Sequence, residues 1–159
     1  MKRLAIVTGI ALAFLLTVAE MTFAKDRVAI IHMTQNYSGT QPAECVGTVA
    51  TEVIPSKRND QVTWIIRNGN SENDDDVCLG VDKSMVSLHF KDDVMGAAAM
   101  RVLSAAQIMY KGKTVWAIQG NIDSGVPANT AHGYMVFYKG KQAGPDPEIE
   151  VECPSCGGK

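Results

Sequence analysis

The sequence predicts a mostly β domain, an antiparallel β-sandwich with one inserted α-helix. Three observations lead to this fold class: apolar and polar residues alternate in several short segments, turn-forming residues separate these segments, and one longer apolar segment breaks the alternation. A period of two places successive side chains on opposite faces of a strand, so that one face can be buried. Several short strands with turn signals between them are typical of sandwiches and barrels.

The alternating segments are expected to form the strands of this domain. In the clearest of them, Val62, Trp64 and Ile66 share one face, and the alternation stops at Asn68 and Gly69, which favour a turn. Proline cannot donate a hydrogen bond to a neighbouring strand, so a strand is expected to end where one occurs. The predicted strands cover residues 28–33, 46–54, 61–67, 85–91, 113–122, 132–138 and 148–152.

Residues 94–110 break the alternation, and the sequence predicts a helix there. Asp92 and Asp93 precede this segment as an N-cap and as negative charge for the helix dipole, while Lys111 and Gly112 follow as a basic last turn and a stop. The segment is apolar almost all round, so the helix is expected to be largely buried. A pair of buried strands is the second interpretation, although the segment is long for strands without a turn signal.

Residues 1–24 are interpreted as a cleavable secretory signal. They begin with the basic Lys2 and Arg3, continue as an apolar run, and end with small residues at Thr22 and Ala24, the three parts of such a signal. The apolar run is shorter than the roughly 20 residues that span a bilayer, so we do not expect a retained membrane anchor. The protein is therefore predicted to be periplasmic or secreted.

Residues 25–159 have the length of one domain. Removal of Lys2, Arg3 and Glu20 with the leader changes the formal net charge from −2 to −3. Nucleic acids and anionic membrane surfaces select clustered basic faces, and neither is expected as a partner. We expect instead an unidentified protein or small-molecule partner.

All four cysteines follow the predicted leader, and an even number in an exported chain indicates disulfides. Of the three possible pairings, we favour Cys45 with Cys78, which flank one candidate strand pair, and Cys153 with Cys156. The Cys-Pro-Ser-Cys motif also has the spacing of a redox pair, although reactive thiolates of this kind normally lie at a helix N-terminus. A thiol-disulfide oxidoreductase is therefore one alternative function.

The order of the predicted elements resembles the cupredoxin-like fold. The residues that carry this resemblance are the strand at 61–68, the predicted helix at 94–110, and the ending at 134–140 and 146–151. The resemblance implies a Greek-key β-sandwich. Blue-copper members of that fold place a cysteine thiolate near their last ligands, and no cysteine stands just before His132. The resemblance thus implies the fold and not the electron-transfer function.

Copper binding through histidine and methionine is a second alternative, because imidazole and thioether groups bind cuprous ion. In this hypothesis copper is the cofactor; otherwise we expect none. The candidate ligands are His32, Met33, His89, His132 and Met135.

The sequence offers no convincing catalytic set, and we do not expect an enzyme. Ser124, His132 and an aspartate can be combined into a nucleophile, a base and an orienting group, but no serine elbow supports them. The acidic segment at 70–76 lacks the alternating oxygen ligands of a calcium loop and is interpreted as a solvated loop. The leading hypothesis is an exported protein that acts by binding or structural association.

Overall fold

The computed structural model describes residues 25–36, 44–51, 53–69, 77–78, 80–96 and 102–152. Within them the chain forms one turn of 3₁₀-helix at Lys83–Met85 and eleven strands. The strands are β1 (Asp26–Asn36), β2 (Glu44–Val49), β3 (Val53–Ser56), β4 (Gln61–Asn68), β5 (Val86–Phe90), β6 (Val102–Ser104), β7 (Ala106–Tyr110), β8 (Lys113–Asn121), β9 (Thr130–Tyr138), β10 (Lys141–Gln142) and β11 (Glu148–Val151). No helix in these ranges has the length and apolar character needed to span a membrane. The predicted leader, the acidic segment at 70–76, Cys153 and Cys156 lie outside them.

The strands form two mixed sheets. One has the order β2-β1-β4-β8-β7, and the other has the order β3-β11-β9-β5-β6 with β10 beside β9. Neighbouring strands are antiparallel except β1 with β4 and β3 with β11, which run parallel. The expectation of a purely antiparallel fold is therefore wrong at these two pairs. Parallel neighbours need a crossover, and here other strands lie between the two partners along the chain.

The buried faces of the two sheets meet in one core. Trp64 of β4 lies edge-on to Phe90 of β5 and Tyr134 of β9, with ring centroids 6.0 Å and 5.6 Å apart. The indole Nε1 of Trp64 donates a hydrogen bond to the Tyr134 hydroxyl at 2.9 Å. Burial raises the pKa of that phenol well above its ordinary value, so Tyr134 stays neutral. This hydrogen bond joins a strand of one sheet to a strand of the other inside the core.

The predicted strands agree with the observed ones in all but one place. The segment at 46–54, predicted as one strand, is broken: β2 ends at Val49 and β3 begins at Val53. The two pieces belong to different sheets. The break is therefore the point at which the chain passes from one layer to the other.

The helix predicted at 94–110 is wrong wherever this segment is described. Val102–Ser104 forms β6 on the edge of one sheet, and Ala106–Tyr110 forms β7 on the edge of the other. Residues 97–101 lie outside the described ranges. The second interpretation, a pair of buried strands, is right about the strand conformation of residues 102–110, but these two strands are exposed to half-buried and lie in different sheets.

The residues that resembled helix caps act as turn residues. Asp92 accepts a hydrogen bond from the backbone N–H of Val94 at 3.2 Å, as an N-cap would, but the turn stops at Gly96, whose φ is 99°. Lys111 and Gly112 have φ values of 48° and 76° and join β7 to β8. Two consecutive positive φ values are typical of a tight hairpin turn. The same residue types occur in helix caps and in hairpin turns, which explains why a helix was predicted here.

The favoured disulfide between Cys45 and Cys78 is confirmed. Their Cα atoms lie 5.6 Å apart, and the bond links β2 to the segment that follows β4. Asn68, at the end of β4, accepts from the backbone N–H of Cys78 and donates to its carbonyl, both at 3.0 Å. The amide therefore holds the cysteine backbone beside the sheet.

Candidate functional site

A cavity of about 390 Å³ lies where the segment after β5 faces the connection between β8 and β9. The two segments are joined by a hydrogen bond from the backbone N–H of Asp123 to the carbonyl of Val94 at 2.9 Å. The cavity volume lies in the range of roughly 300–1,000 Å³ that is typical of small-molecule sites. The cavity is lined by Asp92, Asp93, Val94, Gly96, Asp123, Gly125, Val126, Pro127 and His132.

His132 lies at the centre of a hydrogen-bonded chain at this cavity. Its Nδ1 is 2.7 Å from the Asp92 Oδ2, and its Nε2 is 2.6 Å from the Thr130 Oγ1. Residues two apart in a strand share a face, which places Thr130 beside His132 on β9. Phe90 pairs with Tyr134 across the two strands, so the chain beyond Phe90 carries Asp92 to the level of His132.

The Thr130 hydroxyl has a second acceptor, the Pro127 carbonyl oxygen, also at 2.6 Å. A hydroxyl donates only one hydrogen bond. When the His132 imidazole is neutral with its proton on Nδ1, the hydroxyl donates to Nε2. When the imidazole carries a second proton, Nε2 donates to the hydroxyl oxygen, which then donates to Pro127. The His132 Nε2 therefore has a hydrogen-bond partner in both states, but the Pro127 carbonyl accepts from the hydroxyl only in the second.

The lining of the cavity is acidic at its rim and apolar at its base. Asp92, Asp93 and Asp123 contribute carboxylates, and no lysine or arginine stands among the described lining residues. The side chain of Asp92 is 46% exposed despite its contact with His132. Val94 and Val126 are buried. Carboxylates on low-dielectric walls concentrate cations, so the cavity favours a positively charged ligand with an apolar part.

The order of hydroxyl, imidazole and carboxylate is the one by which many hydrolases activate a nucleophile. In the sequence-based trio the hydroxyl was that of Ser124, whereas the hydroxyl that contacts His132 is that of Thr130. The Pro127 carbonyl oxygen competes with the imidazole for the single proton of the Thr130 hydroxyl. The arrangement can hold and relay a proton at the edge of the cavity.

The backbone of Asp60 and its neighbour Arg58 are hydrogen-bonded to the connection between β8 and β9 that lines the cavity. The Asp60 backbone carbonyl accepts from the Ile122 N–H at 2.9 Å, and Arg58 donates from Nε to the Val126 carbonyl at 2.6 Å. Burial alone would raise the pKa of Asp60, but hydrogen bonds from Lys25, Arg27 and Lys57 outweigh it and hold the pKa below its ordinary value. Asp60 is therefore ionised and structurally engaged.

Two of the predicted copper ligands, His32 and Met33, lie on opposite faces of β1. Met33 is fully buried in the core. The Nδ1 of His32 lies 3.1 Å from the carbonyl oxygen of Gly69 on the other face. Consecutive residues of a strand point in opposite directions, so these two side chains do not converge.

The other three predicted ligands lie on β5 and β9. His89 and Met135 are register partners, and the His89 ring stacks on Phe137 with centroids 3.9 Å apart. His132 faces the core side of β9 and Met135 the outer side. The structure thus brings His89 and Met135 together and separates them from His132. Among the described residues no cluster of three or more His, Cys, Asp or Glu side chains is placed to hold a metal.

A second cavity, of about 460 Å³, lies at the opposite end of β8 and is basic. Trp116 and Tyr110 supply aromatic surface. Its cations come from separate segments of the chain, which is why no basic cluster is visible along the sequence. They are Arg67, Lys83, Lys111 and Lys113.

Sequence reasoning identified His132 but missed its two partners. The alternation along β9 could have indicated Thr130, since it shares a face with His132. Asp92 precedes His132 by 40 residues, and only the pairing of β5 with β9 brings the two together. No protein-family model matches the chain, and no match is found among the curated proteins.

Proposed function

We propose that this chain is an exported protein, periplasmic or secreted, that binds a partner without performing chemistry, and that the cavity beside His132 is its binding site. The observation that carries this proposal is the pairing of His132 with Asp92 at 2.7 Å on a cavity of ligand size. The Cys45–Cys78 disulfide supports export, because such bonds persist in oxidising compartments. The leader-like residues 1–24 support it independently.

The proposed architecture is a Greek-key, cupredoxin-like sandwich. It is supported by the contact of Trp64 with Tyr134 between the two sheets and by the repeated passage of the chain from one sheet to the other. An experimental structure with a different strand order would contradict it.

The ligand class that fits the cavity is a small organic cation, such as an alkylamine. The Asp92 carboxylate keeps exposed acceptor capacity beside its imidazole partner, and the apolar base offers contact for a hydrocarbon chain. Charge-assisted hydrogen bonds are roughly twice as strong as neutral ones. The positive group is therefore expected at the carboxylate rim.

Thermal unfolding with a panel of alkylamines and matched neutral alcohols tests this assignment. A ligand that binds the folded state raises the melting temperature by mass action, and we expect this from the amines alone. Asp92→Asn should weaken amine binding by about tenfold, as for loss of one charge-assisted hydrogen bond. Glu150→Gln, which removes an exposed carboxylate outside the cavity, is the matched control. Equal responses to amines and alcohols would contradict the assignment.

Copper handling is the second candidate, and the observation that favours it is the pairing of His89 with Met135 across β5 and β9. Titration with cuprous ion should then stabilise the protein, and Met135→Leu should abolish the effect. The oxidoreductase alternative depends on Cys153 and Cys156, outside the described residues, and predicts one rapidly alkylated thiolate in the native protein.

A further inference from the structure

Asp60 is a buried carboxylate whose hydrogen-bond partners include the first described residue of the chain. Asp60 is 2% exposed. Its Oδ1 accepts from the backbone nitrogen of Lys25 at 3.0 Å, and its Oδ2 accepts from the Arg27 Nε and the Lys57 backbone N–H, both at 2.9 Å. The carbonyl of Lys25 accepts from the Gln61 N–H at 3.2 Å. The backbone of Lys25 is therefore held on both sides, with its nitrogen directed at the carboxylate.

Lys25 is also the residue that follows the predicted cleavage point at Ala24. Hydrolysis of the Ala24–Lys25 peptide bond consumes one water, leaves a carboxylate on Ala24 and gives Lys25 a free α-amino group. At neutral pH this group takes up a proton, since an unperturbed α-amino group titrates at about pH 8. The nitrogen that faces Asp60 thus changes from a neutral amide donor into an ammonium group.

We propose that removal of the leader creates an ion pair between the α-ammonium of Lys25 and the buried carboxylate of Asp60, and that this pair stabilises the mature protein. The inference rests on the export in the proposed function. Before cleavage, Asp60 has one cationic partner, Arg27, and two neutral N–H donors. After cleavage it has two cationic partners, and its two oxygens have lone pairs for both.

Burial is what makes this change of charge significant. Exposed ion pairs contribute little because water and salt screen them. The side chain of Asp60 is only 3% exposed, so its contact with the added charge is screened less than a contact between two exposed groups, although Lys25 itself is exposed. Arg27 donates to Oδ2, whereas the Lys25 nitrogen faces the other oxygen, Oδ1, so the new ammonium does not compete with the guanidinium for one oxygen. The mature terminus is thereby coupled to the turn before β4.

Chains of defined first residue test the proposal. One chain begins at Lys25 and the other at Ala24, which moves the ammonium one residue away, and each is made with Asp60 and with Asp60→Asn. We expect the added alanine to increase the unfolding equilibrium constant by about tenfold when Asp60 is present, because a charge-assisted hydrogen bond is replaced by a neutral amide one. The difference should vanish in Asp60→Asn. Equal stability of the two chains that carry Asp60, or an undiminished difference between the two Asp60→Asn chains, would overturn the proposal.

A second measurement needs no substitution and applies even if Asp60→Asn does not fold. The α-amino group of the chain beginning at Lys25 is labelled with an amine-reactive reagent at neutral pH, with and without urea, and the sites are read by mass spectrometry. We expect labelling at least tenfold slower in the folded protein, while exposed lysines such as Lys139 react at similar rates in both. Equal rates for the α-amino group would contradict the ion pair.

Failure of this inference is distinguishable from failure of the export proposal. The defined chains report on the ion pair whether or not cells export the protein. The intact mass of the protein from producing cells reports on the leader. A retained leader would contradict export, whereas a mature chain that begins at a residue other than Lys25 would overturn only the ion pair.

Discussion

Asp60 and Asp92 are carboxylates at the same end of the molecule, and they differ in what their oxygens contact. Asp60 is 2% exposed and accepts from three donors. The Asp92 side chain is 46% exposed and contacts one imidazole and one backbone N–H. A buried carboxylate whose acceptors are occupied holds segments of chain together. A half-exposed carboxylate at a cavity keeps acceptors that a ligand can use.

The largest expected difference between Asp60 and Asp92 is in how much their substitution lowers the stability of the protein. Asp60→Asn removes the charge of a buried carboxylate and leaves the partly exposed Arg27 without its ionic partner, which should lower the free energy of unfolding by about 2 kcal/mol. Asp92→Asn should cost less than about 1 kcal/mol because solvent screens its partly exposed pair. Urea unfolding of both variants at pH 7 measures the difference. Equal losses would remove the distinction between a structural and an accessible carboxylate.

The dependence of stability on pH also distinguishes Asp60 from Asp92, because the pKa of Asp60 is lowered in the folded protein. A carboxyl whose pKa is lower in the folded than in the unfolded state contributes stability above its unfolded pKa, and loses it as pH falls toward the folded value. The stability gap between the natural protein and Asp60→Asn should therefore be constant from pH 7 down to about pH 5 and narrow at lower pH. Unfolding curves from pH 7 to pH 3 measure this gap. A gap that does not change with acid would contradict the assigned role.

A small effect on stability is also expected at Thr130, the hydroxyl partner of His132. Thr130→Val keeps the size of the side chain but removes the hydroxyl that contacts the His132 Nε2, and should cost about 1 kcal/mol. Thr114→Val, at an exposed hydroxyl on β8, is the matched control and should change stability by less than about 0.5 kcal/mol. Urea unfolding again provides the measurement. A neutral Thr130→Val would show that water replaces the hydroxyl at His132.

The strands could be predicted from the sequence because burial alternates along them. In β5, Val86, Leu88 and Phe90 are buried while Ser87 and His89 are only partly so, and this is the period that the residues display. The parallel pairs could not be predicted in this way. Alternation reveals which face of a strand is buried, but it carries no information on which strand lies beside it.

The prediction of a helix at 94–110 is wrong because its cap-like residues also occur in turns. Asp92 does bind the Val94 N–H as a cap does, and Gly112 does adopt a positive φ as a helix stop does. Both features also occur in turns that join strands. Only the pairing of Ala106–Tyr110 with β8 decides between the two structures, and that pairing is a tertiary contact.

Of the residues that form the candidate site, only His132 could be predicted from the sequence. His132 was identified as a metal ligand and as a possible base, and the structure gives it a carboxylate and a hydroxyl as partners. Asp92 was assigned to a helix cap, because nothing in its neighbourhood along the chain indicates β9. Contacts between distant segments depend on strand register, which a single sequence does not display.

The pairing of β3 with β11 has a consequence for how the molecule assembles. β3 lies at the edge of its sheet and joins it only through β11, with Val53 opposite Glu148 and Ser56 opposite Val151. A nascent chain that has not yet produced residue 148 thus has no neighbour for β3. Contacts so distant along the chain also slow folding, since the intervening loop must close first. β3 can therefore join its sheet only after residues 148–151 have been made, whereas β5, β6 and β9 can pair before then.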